Sequence, residues 1–340
     1  MSTSRPMSGL RPTRSAVSRG FVTLLAALVL LVGLSFLVAP SSLAPGAVSG
    51  MLPFASVLAI IGLGQMLVVQ QTGIDLSVPG SVSITVVIVT HVPYGSNDRL
   101  GVALLLVLAV AIATGLLNAA MIGLLNLSPI IATLGSNALL FGAILGISGG
   151  VPRSTTPALA QAMGGSLVGV PNSVMIAIGA LLLVVVVLKT TVPGRRFEAV
   201  GATVRMTRAL GVATRAYRGG AYVGSQLLYA IAGVVLAGVV AQPTAYLGNN
   251  YLLPSVAVVV LAGTSLLGGR GFPVATAIAA LFLTQLDQFT LALGVPYAAQ
   301  TLVQALAFAV GVAIYTIDWA AVRRRFMKAG GVPPSVPATH

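Results

Sequence analysis

The chain has 340 residues, of which 57% are hydrophobic and only 7% charged. A soluble surface of this size needs roughly a quarter of its residues charged, so a pair of soluble domains is excluded. The charges are lopsided, 18 Lys+Arg against 5 Asp+Glu for a net +13, and the absence of cysteine excludes disulfides, thiolate metal sites and cysteine nucleophiles.

A helix needs about 20 apolar residues to cross a bilayer, and the apolar residues here suffice for roughly ten crossings. Apolar runs bounded by Gly, Pro and charge predict an all-α integral membrane protein with ten spans. They lie near 21–39, 51–71, 78–93, 101–125, 128–148, 173–191, 219–240, 253–268, 272–293 and 298–317. A basic tail, 1–20, precedes them. The first apolar run is too long for a signal-peptide core, so that span is expected to stay uncleaved. The third span is only about 16 residues long, and the eighth and ninth nearly touch; both features predict broken or re-entrant helices. Residues 21–317 read as one transmembrane domain and 318–340 as a tail, Gly/Pro-rich at its end.

Loop charges supply a topology. Arg5, Arg11, Arg14 and Arg19 favour an inside N-terminus. Strict alternation then puts 189–218 inside, with Lys189, Arg195, Arg196, Arg205, Arg208, Arg215 and Arg218, followed by Arg270 and the basic C-terminal tail. Only Arg99 and Arg153 of the 18 basic residues fall outside. The +13 that might suggest nucleic acid is a topology signal, and no nucleic-acid partner is expected.

Missing motifs narrow the chemistry. A P-loop needs a lysine after glycine to hold phosphates; Lys189 and Lys328 follow leucine and methionine. His91 and His340 cannot build a metal site or relay, and no enzyme is expected.

Three segments stand out. QQTGIDLSVPGSVS, 70–83, interrupts two apolar runs with Asp75 inside it. Asp75 or Ser77 caps a helix, with Pro79 in its first turn, or the acid faces a cavity or a partner. AGTSLLGGRGFP, 262–273, is a second Gly-rich break six spans later, hence in the same orientation, and hints at an internal repeat. In the basic segment 193–218, Ala202 to Leu210 reads as a short helix ended by Gly211. Its Met206 and Leu210, with Val212, suit a groove on another protein; the alternative is contact with anionic lipid.

In this order these segments resemble the permease subunits of bacterial ABC importers of the ribose/xylose/galactose type. GIDLSVPGSV, SPIIATLGSNALLFGAILGISGG (128–150), GRRFEAVGATVRMTRALGV (194–212) and LPSVAVVVLAGTSLLGGRG (253–271) carry the likeness, over about 55–290. Pro79 interrupts the first motif, Phe141 stands where an arginine is usual, and Ala262 replaces a glycine. The resemblance implies a bacterial inner-membrane protein with both termini cytoplasmic, acting beside a second permease subunit. It implies ATPase subunits that bind ATP and Mg, an exported substrate-binding protein, and no cofactor on this chain. It further implies that Arg205, Met206, Ala209, Leu210 and Gly211 couple the chain to the ATPase.

A monosaccharide is uncharged and needs hydrogen-bonding groups along its path. The candidates are Gln65, Asp75, Asn118, Asn137, Gln285 and Asp287, with Gln70, Gln226, Gln288, Gln300 and Gln304 behind them. Each serves equally well as an interhelical hydrogen bond, worth about 0.6 kcal/mol on average. Two other readings stay open. One is a permease for branched-chain amino acids, urea or nucleosides; the other is an ion-coupled carrier, for which only Asp75 and Asp287 could serve.

Overall fold

The computed structural model describes residues 19–240, 242–296 and 298–303, together with 305, 306 and 309. Its helices are α1 (Arg19–Val38), α2 (Pro45–Gln70), α3 (Val78–His91), α4 (Leu100–Gly123), α5 (Pro129–Ser148), α6 (Pro157–Gly164), α7 (Asn172–Thr190), α8 (Val192–Ala202), α9 (Val204–Ala209), α10 (Thr214–Val239), α11 (Leu252–Leu261) and α12 (Pro273–Ala292). Seven helices are long and apolar enough to cross a membrane, and α3 and the stretch Leu247–Leu261 are shorter apolar ones. These match nine of the ten expected spans. The tenth is described as helix at 298–303, 305, 306 and 309; Gln304 and residues 1–18 and 310–340 lie outside the described residues.

Two helices form the axis. α10 packs against α2, α3 and α4, and α2 also meets α7, α11 and α12. In its most apolar stretch α2 is 78% buried, whereas α1 is 17% buried. A helix apolar all round must be covered by protein or by lipid; α2 is covered by this chain, whereas most of α1 is not. Close approach depends on missing side chains. A Cβ on Gly64 would sit 2.6 Å from the Tyr229 ring of α10, and one on Gly115 of α4 would sit 2.6 Å from the Val223 Cα.

Two expected elements need correction. The eighth span, expected at 253–268, is helical only over α11, after a 3₁₀ turn at Leu247–Tyr251. Beyond it Gly263, Gly268 and Gly269 take φ of +81°, +89° and +99°, which unwinds the chain as glycine readily allows. The expected helix Ala202–Leu210 is split at Thr203, whose extended φ of −155° separates α8 from α9. A Cβ on Gly201 would run into the Gln70 carbonyl, so α8 is seated against the end of α2 and the chain changes direction there. α6, whose Thr156 hydroxyl accepts from the Leu159 N–H at 3.3 Å, and a two-residue hairpin, β1 (Ser166–Leu167) with β2 (Val170–Pro171), were not foreseen.

Candidate functional site

The first break turns the chain back into the bundle. After Gln70 it doubles back until Asp75 lies beside Gln65, one and a half turns up α2, or about 8 Å. Unwound backbone at membrane depth must find partners inside the protein, and here side chains supply them. The Gln65 amide, oriented to satisfy its neighbours, accepts from the Asp75 N–H and donates to the Asp75 carbonyl, both at 3.2 Å. It also reaches the Tyr229 hydroxyl at 2.9 Å. The Thr133 hydroxyl accepts from Leu76 N–H at 3.0 Å, and the Asn137 carbonyl oxygen from Gly80 N–H at 2.8 Å.

The Asp75 carboxylate closes this knot. One oxygen accepts from the Ser77 N–H (2.9 Å) and hydroxyl (2.5 Å); the other accepts from Ser225 (3.2 Å) and Gln226 (3.1 Å) of α10. Gln226 also donates to the Ser77 hydroxyl at 2.8 Å, and Asn118 links Ser77 to Ser136 of α5. Gln65, Asp75, Ser77, Asn118 and Ser225 have no exposed surface. Five helices, α2, α3, α4, α5 and α10, are thus tied by one carboxylate and neutral donors. The expected helix cap is not formed: neither Asp75 nor Ser77 bonds the first N–H groups of α3, and Asp75, fully buried, instead accepts from Ser77, the residue that precedes the helix.

The remaining candidates sit elsewhere. Gln285 is buried on α12 and donates to the Ser35 hydroxyl of α1 at 3.2 Å. Asp287 and Gln288 line a cavity of about 480 Å³ between α2, α11 and α12, with Asn250, Thr284, Gln300 and Thr301. Near its walls are Gly50 and Phe54 at the start of α2 and Leu291 at the end of α12. The other ends of these two helices meet at Gln70 and Gly271, so the cavity occupies the far end of the bundle. Sequence reasoning passed over Thr133, Ser136, Ser225, Tyr229, Asn250 and Thr301. Ser225 and Tyr229, one turn apart beside Gln226 on α10, were a legible signal of a polar face.

At the basic end the two Gly-rich breaks adjoin. Gly269 N–H donates to the Gln70 carbonyl at 3.0 Å, and Gln71 donates to the Phe197 carbonyl of α8 at 2.9 Å. Gln70 is fully buried against Gly271, and both polar atoms of its amide lack a partner. Below them α9 ends in a two-bond Schellman turn: Gly211 N–H meets the Arg208 carbonyl at 3.0 Å, and Val212 N–H meets that of Thr207 at 3.1 Å. Gly211 takes φ of +76°, which this turn requires. The helix presents Met206, 65% exposed, and Leu210, 76% exposed, with Arg205 and Ala209 on the surface beside them.

Comparisons with known proteins fit this geometry. The family described as "Branched-chain amino acid transport system / permease component" matches residues 47–314. A probable ABC transporter permease protein, y4mJ, of Sinorhizobium fredii is 29% identical over 307 residues, covering 89% of this chain and 92% of its own. The autoinducer 2 import system permease protein LsrC of Enterobacter sp. is 34% identical over 243 residues, 69% of each chain. LsrC of Escherichia coli K12 is 32% identical over 248 residues, 71% of each. No solved structure matches significantly. The chain belongs to the ABC-transporter permease family and is the multi-pass membrane translocation subunit of a transport system, not an enzyme with an ATPase site of its own.

Proposed function

We propose that this permease serves an importer of a small, uncharged, hydroxyl-rich solute of the monosaccharide class, driven by ATPase subunits that seat α9. The supporting observation is α9 itself. An isolated six-residue helix that exposes Met206 and Leu210 between arginines has no reason to leave water unless a groove receives it. Arg205, Met206, Ala209, Leu210 and Gly211 form this contact, and ATP and Mg are held by the partner. The end bearing α8 and α9 faces the cytoplasm, in keeping with the basic residues concentrated there, and both termini share that side in the bacterial inner membrane. A second permease subunit, alike or unlike, completes the path, and an exported binding protein delivers the solute.

The few polar side chains in the largely apolar cavity at the far end support the solute class. Asn250, Thr284, Gln288 and Gln300 offer neutral donors and acceptors beside the single carboxylate of Asp287, a set suited to hydroxyls. The test is reconstitution in liposomes with the ATPase and the solute-loaded binding protein, across a panel of sugars and the autoinducer 2 signal. Leu210→Asp is expected to abolish solute-stimulated ATP hydrolysis and uptake while the permease still inserts and melts normally. Full uptake in that variant would remove α9 from the coupling role.

A further inference from the structure

Beside α9 the start of α10 carries an electrostatic anomaly. The N-terminus of a helix is its positive end and favours acids. α10 has no acid in its first turn; it has Arg215 there and Arg218 in the next. Arg208 of α9 joins them around a pocket of about 150 Å³ closed on the other side by Gly123 and Asn126 at the end of α4. No carboxylate within the described residues pairs with these three arginines. Glu198, the nearest acid in sequence, is engaged by Lys189, while Asp75, Asp98 and Asp287 belong to other parts of the fold. Tyr222, 3% exposed, also lines the pocket, and its hydroxyl lies close to Gly73 in the first break.

Three like charges line one pocket at a helix end that repels them, with no carboxylate beside them. The arrangement is stable when an anion with several acceptor oxygens occupies the pocket. Arginine forks match phosphate oxygens two at a time. The volume equals that of about five waters by their share of the liquid, enough for a phosphate ester and too small for a nucleotide.

We propose that the pocket between α4, α9 and the start of α10 binds the phosphate of an anionic phospholipid headgroup. Position favours a lipid over a soluble phosphate. α10 is long enough to span the bilayer, so its first turn lies at headgroup level. Leu124 and Leu125, which separate the pocket residues Gly123 and Asn126, are 68% and 66% exposed and offer a bed for acyl chains. The bound lipid neutralises the root of the loop that carries α9, and so sets the orientation of the coupling helix.

The test uses the full-length permease in neutral detergent. Melting temperature and native mass spectra are followed on adding phosphatidylglycerol, phosphatidylcholine or inorganic phosphate. Phosphatidylglycerol is expected to bind and raise the melting temperature, phosphatidylcholine to do so at least tenfold more weakly, and millimolar phosphate to compete. Arg215→Gln with Arg218→Gln should weaken phosphatidylglycerol binding on the order of tenfold, the scale of a lost charged hydrogen bond. Arg195→Gln with Arg196→Gln, equal in charge and outside the pocket, should leave it unchanged. If the first double variant does not fold, Arg208→Gln on exposed α9 carries the same comparison with a smaller loss. Equal weakening by both double variants would reduce the effect to diffuse charge and overturn the site. Phosphate binding with no response to phosphatidylglycerol would overturn the lipid. So would unchanged lipid binding in the pocket variants accompanied by loss of the ATPase on co-purification, which would hand these arginines to the partner protein.

Discussion

Asp75 and Asp287 look alike in the sequence: each is a lone acid in an apolar stretch, and each is a candidate for the path. The fold separates them. Asp75 has no exposed surface and four donor contacts drawn from α10 and its own turn. Asp287 is half-buried and stands in the wall of a cavity with Asn250, Gln288 and Gln300. The difference shows two ways a membrane protein uses a costly carboxylate. At a break in a helix it organises the donors that unwinding has freed; at a cavity wall it stays partly exposed, as a path residue would be under the proposed function.

The comparison is broken most forcefully at Asp75. Asp75→Ala strands the Ser77 N–H and loosens the hydroxyl and amide donors of Ser225 and Gln226 in the centre of five helices. A loss of at least about 3 kcal/mol is expected, read as a collapse of membrane abundance and of the melting transition in detergent. Asp75→Asn keeps one acceptor but sets its amide against the Gln226 donor, and should cost roughly half as much. A fully stable Asp75→Asn permease that cannot transport would place Asp75 on the path after all.

Gln65→Leu comes next. It removes the partner of both backbone groups of Asp75 and of the Tyr229 hydroxyl, at an expected cost of about 2–3 kcal/mol. The melting temperature should fall, and hydrogen exchange should rise at 73–77 rather than throughout α2. Asn137→Ala removes only the acceptor for the buried Gly80 N–H and should cost about 1 kcal/mol. An unchanged melting temperature for both would mean that water, not side chains, satisfies the break.

Much of this was legible in the sequence, and the illegible part has a physical cause. Span positions follow from length and hydropathy, which is why nine expected spans correspond to helices. The eighth is shorter than expected because hydropathy does not register backbone conformation: Leu266 and Leu267 extend the apolar run, while Gly263, Gly268 and Gly269 unwind it. Thr203 escaped notice for a related reason, since its extended conformation follows from α8 seating against Gln70, a contact 131 residues away in the chain. In the candidate site the amides and acids were visible, but the hydroxyls that complete the knot were not. Ser136, Ser225 and Tyr229 are ordinary residues in a membrane helix until the packing of α5 on α4, and of α10 on α2 and the first break, gives them partners. Which acid is sealed and which is accessible is a property of that packing and has no local signature.

The mildest variant sharpens the comparison best. Asp287→Asn keeps the size and most of the hydrogen-bonding capacity of the side chain at a half-buried position, so its cost to stability should stay within about 0.5 kcal/mol. Uptake in liposomes should nonetheless fall several-fold, because a charged acceptor holds a solute hydroxyl more strongly than a neutral one does. The fall should appear as weaker dependence on solute-loaded binding protein rather than as slower ATP hydrolysis without solute, since α9 and its surroundings are untouched. Gln288→Ala, in the same wall, should act in the same direction and combine with Asp287→Asn less than additively if both meet one guest. Loss of the folded protein on Asp287→Asn, with uptake per surviving molecule unchanged, would make Asp287 a second structural acid like Asp75 and leave the cavity without its role in solute passage.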